Sequence, residues 1–483
     1  MKKNAIRLPQ IMAAAAMMTM FCAVPAFAAS GWQKENGSWI YLDRHGNRVT
    51  DTWKKNDAGD RWFYLEEDGN MAVSKIIEQG DDYYYVNEDG ARVTNEWRLL
   101  EDDSDSDAFP DGTCWYYFGA TGKAAKNTSG KARLTTIDGK KYAFDEEGRM
   151  LYGWVSEDAQ RLTDEEGWTD GVYYCGEPGE GGNAIINAWK RIMVDDPEGD
   201  DEADGNYWFY FGVNGKKITD TQKTINKRKY LFDDRGVALF KWNDVLPSDA
   251  SSSNASSSNA ASSTASASSL KYYNSPEECW RASGWIYTVP TEDIDPEGYA
   301  DDTEYWFYAD KNGKLAISQI KTVDGYKYAF NEKGEMLEGL YALTFDENNR
   351  ISSYKEIEDI ADMPDEDEEC FVYYFGNTPK DGVMATKKNV QIELDDDYTF
   401  GFRSNGQGIH GISDNAIYIK GRKLKADRDL KIEPVSFNGE EYLVNTTGAI
   451  QKKKNNVKDA DDTYYCTDAK GRITYRGSEK KTD

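Results

Sequence analysis

Short stretches in which large apolar and polar side chains alternate recur along most of the chain. Each stretch contains an aromatic run, three polar residues and a glycine, as in WIYLDRHG (39–46), WFYLEEDG (62–69), WYYFGATG (115–122) and WFYFGVNG (208–215). Alternation with a period of two residues that breaks at a glycine-bearing turn predicts a β-hairpin. The sequence therefore predicts a series of hairpins at intervals of roughly 20 to 30 residues.

A single two-stranded hairpin cannot bury its own apolar face, so hairpins repeated along a chain must pack on one another. Stacked units of this kind share a continuous core, and aromatic side chains supply the large buried area that each thin layer needs. Aromatic residues make up 13% of the sequence. The predicted fold class is therefore all-β, a β-solenoid of stacked β-hairpin repeats.

A tract rich in serine and alanine interrupts the repeats. Residues 248–269 contain no apolar side chain larger than alanine and one charged residue, Asp249. Such a segment cannot form a core of its own, and its composition is typical of a flexible linker. The sequence thus predicts a first repeat array at 29–246, a linker at 247–270, and a second, more degenerate array at 271–483.

The first 28 residues have the pattern of a secretory signal peptide. Basic residues at positions 2, 3 and 7 precede an apolar run, which ends in the small-residue sequence AFA at 26–28. This pattern predicts cleavage after Ala28 and export of the rest of the chain. No later segment has the roughly 18 consecutive apolar residues of a membrane-spanning helix, so no membrane span is expected.

The chain is strongly acidic, with a formal net charge of −28. Nucleic-acid partners are disfavoured because their binding depends on Lys and Arg neutralising phosphates. The histidines are His45 and His410 alone, which leaves little material for catalytic triads or histidine metal sites. Since the repeats leave no segment of about 100 residues for a catalytic domain, we expect a protein that is not an enzyme and needs no cofactor.

Wide acidic gaps separate the two halves of several repeats, at residues 101–112, 195–205 and 362–369. Asp103, Asp105 and Asp107 have the spacing of a calcium-binding loop, but Ala108 stands where the loop needs glycine. We expect these gaps to be solvated acidic loops rather than metal sites.

The order of residues in the repeats resembles a known family. A GW pair, a gap, a run such as WIYL, three polar residues, a glycine and the next tryptophan are similar to the choline-binding and cell-wall-binding repeats of Gram-positive surface proteins. The alternation of long and short units is similar to glucan-binding and clostridial toxin-type repeats. The resemblance implies a ligand site between consecutive hairpins, where two tryptophans of one repeat and the second tyrosine of the next enclose a quaternary ammonium, often beside a methionine.

Carried onto this sequence, the resemblance implies two complete sites near the N-terminus. The first consists of Trp32, Trp39, Tyr64 and Met71, and the second consists of Trp53, Trp62 and Tyr85. In the second site Arg92 occupies the place that Met71 holds in the first. Its charge would oppose a cationic ligand.

In the later repeats the same alignment places no third ring beside the tryptophan pair. Trp97 and Trp115 meet Ala143, Trp189 and Trp208 meet Leu231, and Trp285 and Trp306 meet Ala329. Such an open pair of flat rings can stack on a sugar face, so these pairs stay candidate ligand-binding residues. If choline is the ligand, we expect few sites, concentrated near the N-terminus.

We expect a secreted, cell-wall-associated binding protein that attaches to the bacterial envelope through repeated weak aromatic sites. Its expected partner is a cell-wall polymer, either a choline-bearing teichoic acid or a neutral glycan. One alternative is a solenoid scaffold or adhesin that presents its acidic loops to a protein partner and keeps only vestigial ligand sites. Another is a hydrolase with a hidden carboxylate pair. A simpler interpretation of the rings is that they are packing residues between hairpins.

Overall fold

The computed structural model describes residues 30–102, 108–196, 203–244 and 267–482. The predicted signal peptide lies outside the described residues, as does most of the predicted linker. Asp103, Asp105 and Asp107 of the first acidic gap also lie outside them.

Antiparallel hairpins make up nearly all of the described secondary structure. Up to residue 186 the strands are β1 (Gly31–Glu35), β2 (Ser38–Leu42), β3 (Thr52–Lys55), β4 (Trp62–Leu65), β5 (Lys75–Gln79), β6 (Asp82–Val86), β7 (Glu96–Glu101), β8 (Thr113–Phe118), β9 (Thr135–Ile137), β10 (Lys140–Phe144), β11 (Met150–Leu151), β12 (Gly153–Val155), β13 (Arg161–Leu162) and β14 (Tyr173–Cys175). The following strands are β15 (Ala188–Met193), β16 (Asn206–Phe211), β17 (Thr221–Ile225), β18 (Arg228–Phe232), β19 (Lys241–Asp244), β20 (Leu270–Tyr273), β21 (Gly284–Thr288), β22 (Tyr305–Ala309), β23 (Gln319–Val323) and β24 (Tyr326–Phe330).

The remaining strands form one sheet of four strands, one of five, one of three and one further two-stranded hairpin. They are β25 (Gly339–Phe345), β26 (Ile351–Glu356), β27 (Phe371–Gly376), β28 (Val383–Met384), β29 (Val390–Glu393), β30 (Asp397–Phe400), β31 (Gly411–Ser413), β32 (Ala416–Ile419), β33 (Arg422–Lys423), β34 (Ile432–Phe437), β35 (Glu440–Asn445), β36 (Val457–Lys458), β37 (Tyr464–Thr467) and β38 (Ile473–Gly477). Short helices lie in the connections: α1 (Gly167–Asp170), α2 (Pro296–Ala300) and single 3₁₀ turns at Pro178–Glu180 and Ile360–Asp362.

The described residues divide into two compact units. One comprises the residues up to Ile186 together with Val213–Lys216, and the other comprises Asn187–Gly212 and the residues from Lys217 onward. The strands β19 and β20, which lie on the two sides of the tract predicted as an inter-array linker, pair with each other and belong to the second unit. The short runs KWND and LKYY on either side each supply one strand, so together they complete one hairpin. The division into units thus falls at a different place from the boundary predicted at 247–270, since the described strands on both sides of that boundary form one hairpin.

Within each unit, a backbone hydrogen bond at a fixed place ties a hairpin to the one before it. The residue two positions after the turn glycine donates its N–H to the carbonyl of the residue that opens the preceding aromatic run. This bond joins Met71 to Trp39 (2.7 Å), Arg92 to Trp62 (2.8 Å), Ala238 to Trp208 (2.9 Å) and Met336 to Trp306 (2.8 Å). Its recurrence shows that successive hairpins stack in register, which confirms the predicted fold of stacked hairpins.

The core lies where one hairpin packs against the next. Within a unit, the second and fourth positions of an aromatic run point towards the preceding hairpin. Phe307 occupies the second position in β22, Phe330 and Phe144 occupy the fourth positions in β24 and β10, and all three are fully buried. Each buried aromatic side chain contributes about 1.5–3 kcal/mol relative to an exposed one. The second and fourth positions therefore hold the stack together.

A buried pair of carboxyl groups connects the residue before α2 to the turn after β24. Asp295 and Glu335 are 4% and 5% exposed, and their carboxyl groups hydrogen-bond to each other. The Lys333 ammonium lies 2.6 Å from Asp295, and the Asn331 side-chain amide donates to Glu335 at 2.7 Å. Burial raises the pKa of Glu335 to about 7. Burial also acts to raise the pKa of Asp295, but hydrogen bonds from Lys333 and Glu335 outweigh it and leave that pKa below its ordinary value.

We expect this pair to make the protein less stable as the pH rises from about 5 to 8. Glu335 is protonated in the folded protein over most of this range but ionised in the unfolded chain. The stability that it contributes is therefore fully present below its ordinary pKa, decreases as the pH rises, and is lost once the pH has passed about 7. The loss is on the order of 2 kcal/mol in the free energy of unfolding. Urea unfolding of Glu335→Gln at pH 5.5 and 8 should show a correspondingly smaller difference. Glu332→Gln, at an exposed neighbouring carboxylate, should keep the full difference, and equal slopes in all three proteins would contradict this account.

Candidate functional site

The strand register determines which rings share a face of a hairpin. Trp53 on β3 lies opposite Tyr64 on β4, and Lys55 lies opposite Trp62. Paired residues share a face, and the face alternates along each strand. Trp53, Trp62 and Tyr64 therefore lie on one face, whereas Phe63 points to the other.

In the hairpins that begin with a tryptophan, the third position of the aromatic run packs beside that tryptophan. The ring centroids are 5.2 Å apart for Trp53 and Tyr64, 5.2 Å for Trp97 and Tyr117, 5.1 Å for Trp189 and Tyr210, and 5.2 Å for Trp285 and Tyr308. The predicted third rings, Tyr64 and Tyr85, are therefore not placed in the preceding sites. Tyr64 donates a hydrogen bond to Asp51, and Tyr85 stacks on Phe118 at 5.9 Å.

The second position of the run supplies the third ring to the preceding hairpin instead. The centroid distances are 5.5 Å for Trp32 and Phe63, 5.3 Å for Trp53 and Tyr84, 4.8 Å for Trp97 and Tyr142, 4.6 Å for Trp189 and Tyr230, and 4.7 Å for Trp285 and Tyr328. The correct position is one residue earlier than the sequence alignment implied, and a shift of one residue changes the face of a strand. The residues Ala143, Leu231 and Ala329 thus do not mark missing rings.

Each tryptophan pair forms a cage with the second-position ring and the post-turn residue of the next hairpin. Cage 1 consists of Trp32, Trp39, Phe63 and Met71; cage 2 of Trp53, Trp62, Tyr84 and Arg92; cage 3 of Trp97, Trp115, Tyr142 and Met150; cage 4 of Trp189, Trp208, Tyr230 and Ala238; and cage 5 of Trp285, Trp306, Tyr328 and Met336. All ten tryptophans are partly buried, unlike Trp168, which is 4% exposed. Their rings thus remain partly accessible.

Cages 3 and 5 combine three aromatic rings with a methionine. In cage 5 the rings of Trp285 and Trp306 lie 6.0 Å apart at 87°, so that they form two perpendicular walls. Tyr328 forms the third wall, and the Met336 backbone is bonded to Trp306. Cage 3 packs Trp97 and Trp115 against Tyr142 and Met150 in the same way. The sequence alignment had treated these two tryptophan pairs as incomplete.

Below the tryptophan, the fourth position of the next run forms a floor. Phe144 stacks on Trp97 at 5.9 Å and 21°, and Phe232 stacks on Trp189 at 5.7 Å and 25°. Phe330 lies 6.0 Å from Trp285 at 34°. The floor fixes the orientation of the tryptophan, so that one face of the ring is covered.

Cage 1 retains most of the predicted first site. Trp32, Trp39 and Met71 come together as the sequence implied, and Phe63 replaces Tyr64 as the third ring. The indole N–H of Trp32 donates to the Lys55 carbonyl at 2.8 Å, which anchors that ring.

Cage 4 differs from the others in two ways. Ala238 stands where cages 1, 3 and 5 have methionine, which leaves more room beside Trp208. The Trp208 indole N–H is also buried and has no hydrogen-bond partner among the described residues. An unsatisfied buried donor costs about 1–3 kcal/mol. This cage therefore favours a ligand that brings an oxygen acceptor.

Cage 2 contains a cation from the chain itself. The Arg92 guanidinium carbon lies 5.4 Å from the Trp53 ring, 5.5 Å from Trp62 and 5.9 Å from Tyr84. The alignment of the repeats predicts that Trp53, Trp62 and Arg92 belong to one site. The structure brings these three side chains together.

The four remaining cages recur at every third hairpin along the chain. Their tryptophan pairs lie on the hairpins β1–β2, β7–β8, β15–β16 and β21–β22. The short hairpins that follow three of these pairs carry no tryptophan on β9–β10, β17–β18 or β23–β24. The short units nevertheless contribute to the cages, because their second-position tyrosines supply the third rings.

The arrangement suits a cation that cannot donate hydrogen bonds. Faces of Trp and Tyr attract a positive charge by about 0.5–2 kcal/mol per contact, and no carboxylate is needed in the cage. Among the described residues no cluster of His, Cys, Asp and Glu has the arrangement of a metal site. Within the same described ranges, no helix is long and apolar enough to cross a membrane.

Two segments of the chain match known repeat families. Residues 29–75 match the model named "Choline-binding repeat", and residues 111–124 match the model named "Putative cell wall binding repeat". The first match contains all four residues of cage 1. These two segments therefore match choline-binding and cell-wall-binding repeats, which confirms the resemblance inferred from the sequence.

The chain is also similar to glucosyltransferase-S of Streptococcus mutans, with 22% identity over 326 residues, which are 68% of this chain and 16% of the relative. Two solved structures from Streptococcus pneumoniae are similar at 16% identity and a TM-score of 0.35. The modular autolysin LytC matches over 67% of this chain and 57% of its own, and choline binding protein F over 79% and 98%. This chain therefore spans only a minor part of the glucosyltransferase and little more than half of the autolysin.

Proposed function

We propose that this is a secreted, non-catalytic binding protein that attaches to the bacterial cell envelope by holding choline-like groups in cages 1, 3, 4 and 5. The observation that carries the proposal is the recurrence of two half-buried tryptophans from one hairpin facing a ring from the next. The matched choline-binding repeat at 29–75 supports the same ligand. The hairpins fill both described units, which favours a binding role over catalysis.

The chemistry of the cages selects an alkylated ammonium. Such a group has no N–H to donate, so water holds it weakly, and aromatic faces with a polarizable thioether can replace its hydration. In cages 3 and 5 the two tryptophans and the tyrosine offer three π-faces, and the methionine covers a fourth side. The net charge of −28 also raises the local concentration of cations.

Neutral glycans are the second candidate ligand, and cage 4 is where they are favoured. Its alanine and its unpaired indole N–H fit a group that is wider than trimethylammonium and carries an oxygen. A sugar ring stacked on Trp189 or Trp208 would meet both requirements. In either case the partner would be a cell-wall polymer, which presents the same group many times.

A titration with choline tests the proposal. We expect bound choline, measured by equilibrium dialysis, to saturate at several equivalents per chain, and Trp285→Ala to remove one of them because cage 5 loses a wall. 3,3-Dimethylbutan-1-ol, which has the shape of choline without its charge, should bind at least tenfold more weakly if about 1.4 kcal/mol or more comes from cation–π attraction. Tyr299→Ala, at an exposed ring outside the cages, should leave the count unchanged.

Absence of saturable choline binding at matched ionic strength would refute choline as the ligand. Binding of cell-wall oligosaccharides that depends on Trp208 would then identify the second candidate. Loss of choline binding in Tyr299→Ala as strong as that in Trp285→Ala would show that the cages are not the sites.

A further inference from the structure

Arg92 takes, in cage 2, the place that a methionine holds in cages 1, 3 and 5. Its backbone N–H bonds to the Trp62 carbonyl at 2.8 Å, as Met71 bonds to Trp39 at 2.7 Å. Both residues also bridge the fourth position of their own run, Val86 for Arg92 and Leu65 for Met71. The backbone of cage 2 is therefore that of a ligand cage, and only the side chain differs.

The guanidinium of Arg92 fills the space between the rings. Its central carbon lies 5.4 to 5.9 Å from three aromatic centroids, within the range of a cation–π contact with each. The Nε atom is buried and has no hydrogen-bond partner among the described residues. Burial lowers the pKa of Arg92, and no carboxylate is among the groups that shift it. The rings are thus the main surroundings of this cation.

The next hairpin holds the arginine in place. Gly122 has φ +80°, and a Cβ built there would lie 2.7 Å from both Cδ and Nε of Arg92. The turn backbone therefore packs directly on the side chain, which restricts it to the cage. A long side chain that is covered in this way loses little further entropy when it binds the rings.

We infer that Arg92 is a built-in occupant of cage 2 and closes this cage to external cationic ligands. The inference rests on the proposed function, because it assumes that cages of this kind bind choline-like groups when they are free. An external ammonium would have to displace a tethered cation that makes the same contacts, and the tethered group has the advantage of effective concentration. In the first compact unit, closure of cage 2 leaves cages 1 and 3 open, and their tryptophan pairs lie three hairpins apart along the chain.

The test is to replace Arg92 with the residue that cages 1, 3 and 5 use. Equilibrium dialysis should show that Arg92→Met binds one more choline per chain than the unmodified protein. Adding Trp53→Ala to Arg92→Met should remove that extra site. Arg48→Met is the matched control, because Arg48 holds the same post-turn position on β1–β2, where no earlier hairpin is described. It should leave the count unchanged.

If the unmodified protein binds choline and Arg92→Met gains no site, the inference is refuted while the proposed function stands. A readout without ligand covers the opposite case, in which no variant binds choline. In spectra of arginine-labelled protein, the side-chain signals of Arg92, assigned by their loss in Arg92→Met, should be shifted upfield by ring currents from the three rings. Unshifted signals would overturn the occupancy of cage 2 whatever the ligand of the other cages.

Discussion

Retention of the protein on a choline-bearing surface is expected to fall by about 100-fold when Trp97 and Trp285 are both replaced by alanine. The two residues lie in different compact units, and each forms a wall of a cage that has three rings and a methionine. A single cage binds weakly because it offers only a few cation–π contacts. When several cages bind at once, each binding event after the first is intramolecular. The loss of two cages therefore weakens the attachment of the whole protein by a larger factor than the loss of one cage.

Surface plasmon resonance on a choline-derivatised chip, with elution by free choline, would measure this effect. Each single variant should lose less than the double variant. The double variant Tyr299→Ala/Tyr326→Ala removes two exposed rings outside the cages and should elute like the unmodified protein. Equal retention of the Trp97→Ala/Trp285→Ala double variant would show that cages 3 and 5 play no part in attachment.

The second large effect concerns the floor of cage 5. Phe330→Ala is expected to lower the free energy of unfolding by about 4 kcal/mol. Phe330 is fully buried, lies 6.0 Å from Trp285 and belongs to the cluster that contains Tyr328 and Met336. Truncation leaves a cavity below the tryptophan, so we also expect cage 5 to lose its choline.

Guanidinium unfolding followed by tryptophan fluorescence measures the first effect, and equilibrium dialysis measures the second. Tyr326→Ala lies on the same strand β24 at a position that is 36% exposed. It should change stability by no more than about 0.5 kcal/mol. A loss below about 1 kcal/mol for Phe330→Ala would mean that the floor does not support the stack.

The hairpin fold could be predicted from the sequence because its signals are local. The period-two alternation, the turn glycine and the aromatic run lie within eight residues of one another, as in WFYLEEDG. The strand register places both tryptophans of every predicted pair on one face of a hairpin. Signals of this kind do not say which unit comes next in space, and so the pairing of β19 with β20 across the serine-rich tract was not predicted.

The third ring was misplaced because a ligand cage depends on the face of the neighbouring hairpin. The alignment selected Tyr64 and Tyr85, the third positions, but alternation turns Tyr64 towards Trp53 and Tyr85 towards Ile76, each within its own hairpin. Applying the period of two residues across the boundary between hairpins would have selected Phe63, Tyr84 and Tyr142. The same rule would have found cages 3 and 5, where the alignment of the repeats places no third ring beside the tryptophan pair. Secretion, the absence of catalysis and the role of the acidic loops stay predictions.

The recurrence of an open cage at every third hairpin has a consequence for the ancestry of the chain. Trp97, Trp189 and Trp285 each begin a block of three hairpins in which a tryptophan-bearing hairpin, a lysine-bearing one and a third follow in the same order. Independent gain of the same order three times is far less economical than copying. Tandem duplication of a block of three hairpins would account for this order, and a further block grafted in register would lengthen the protein without disturbing the stack.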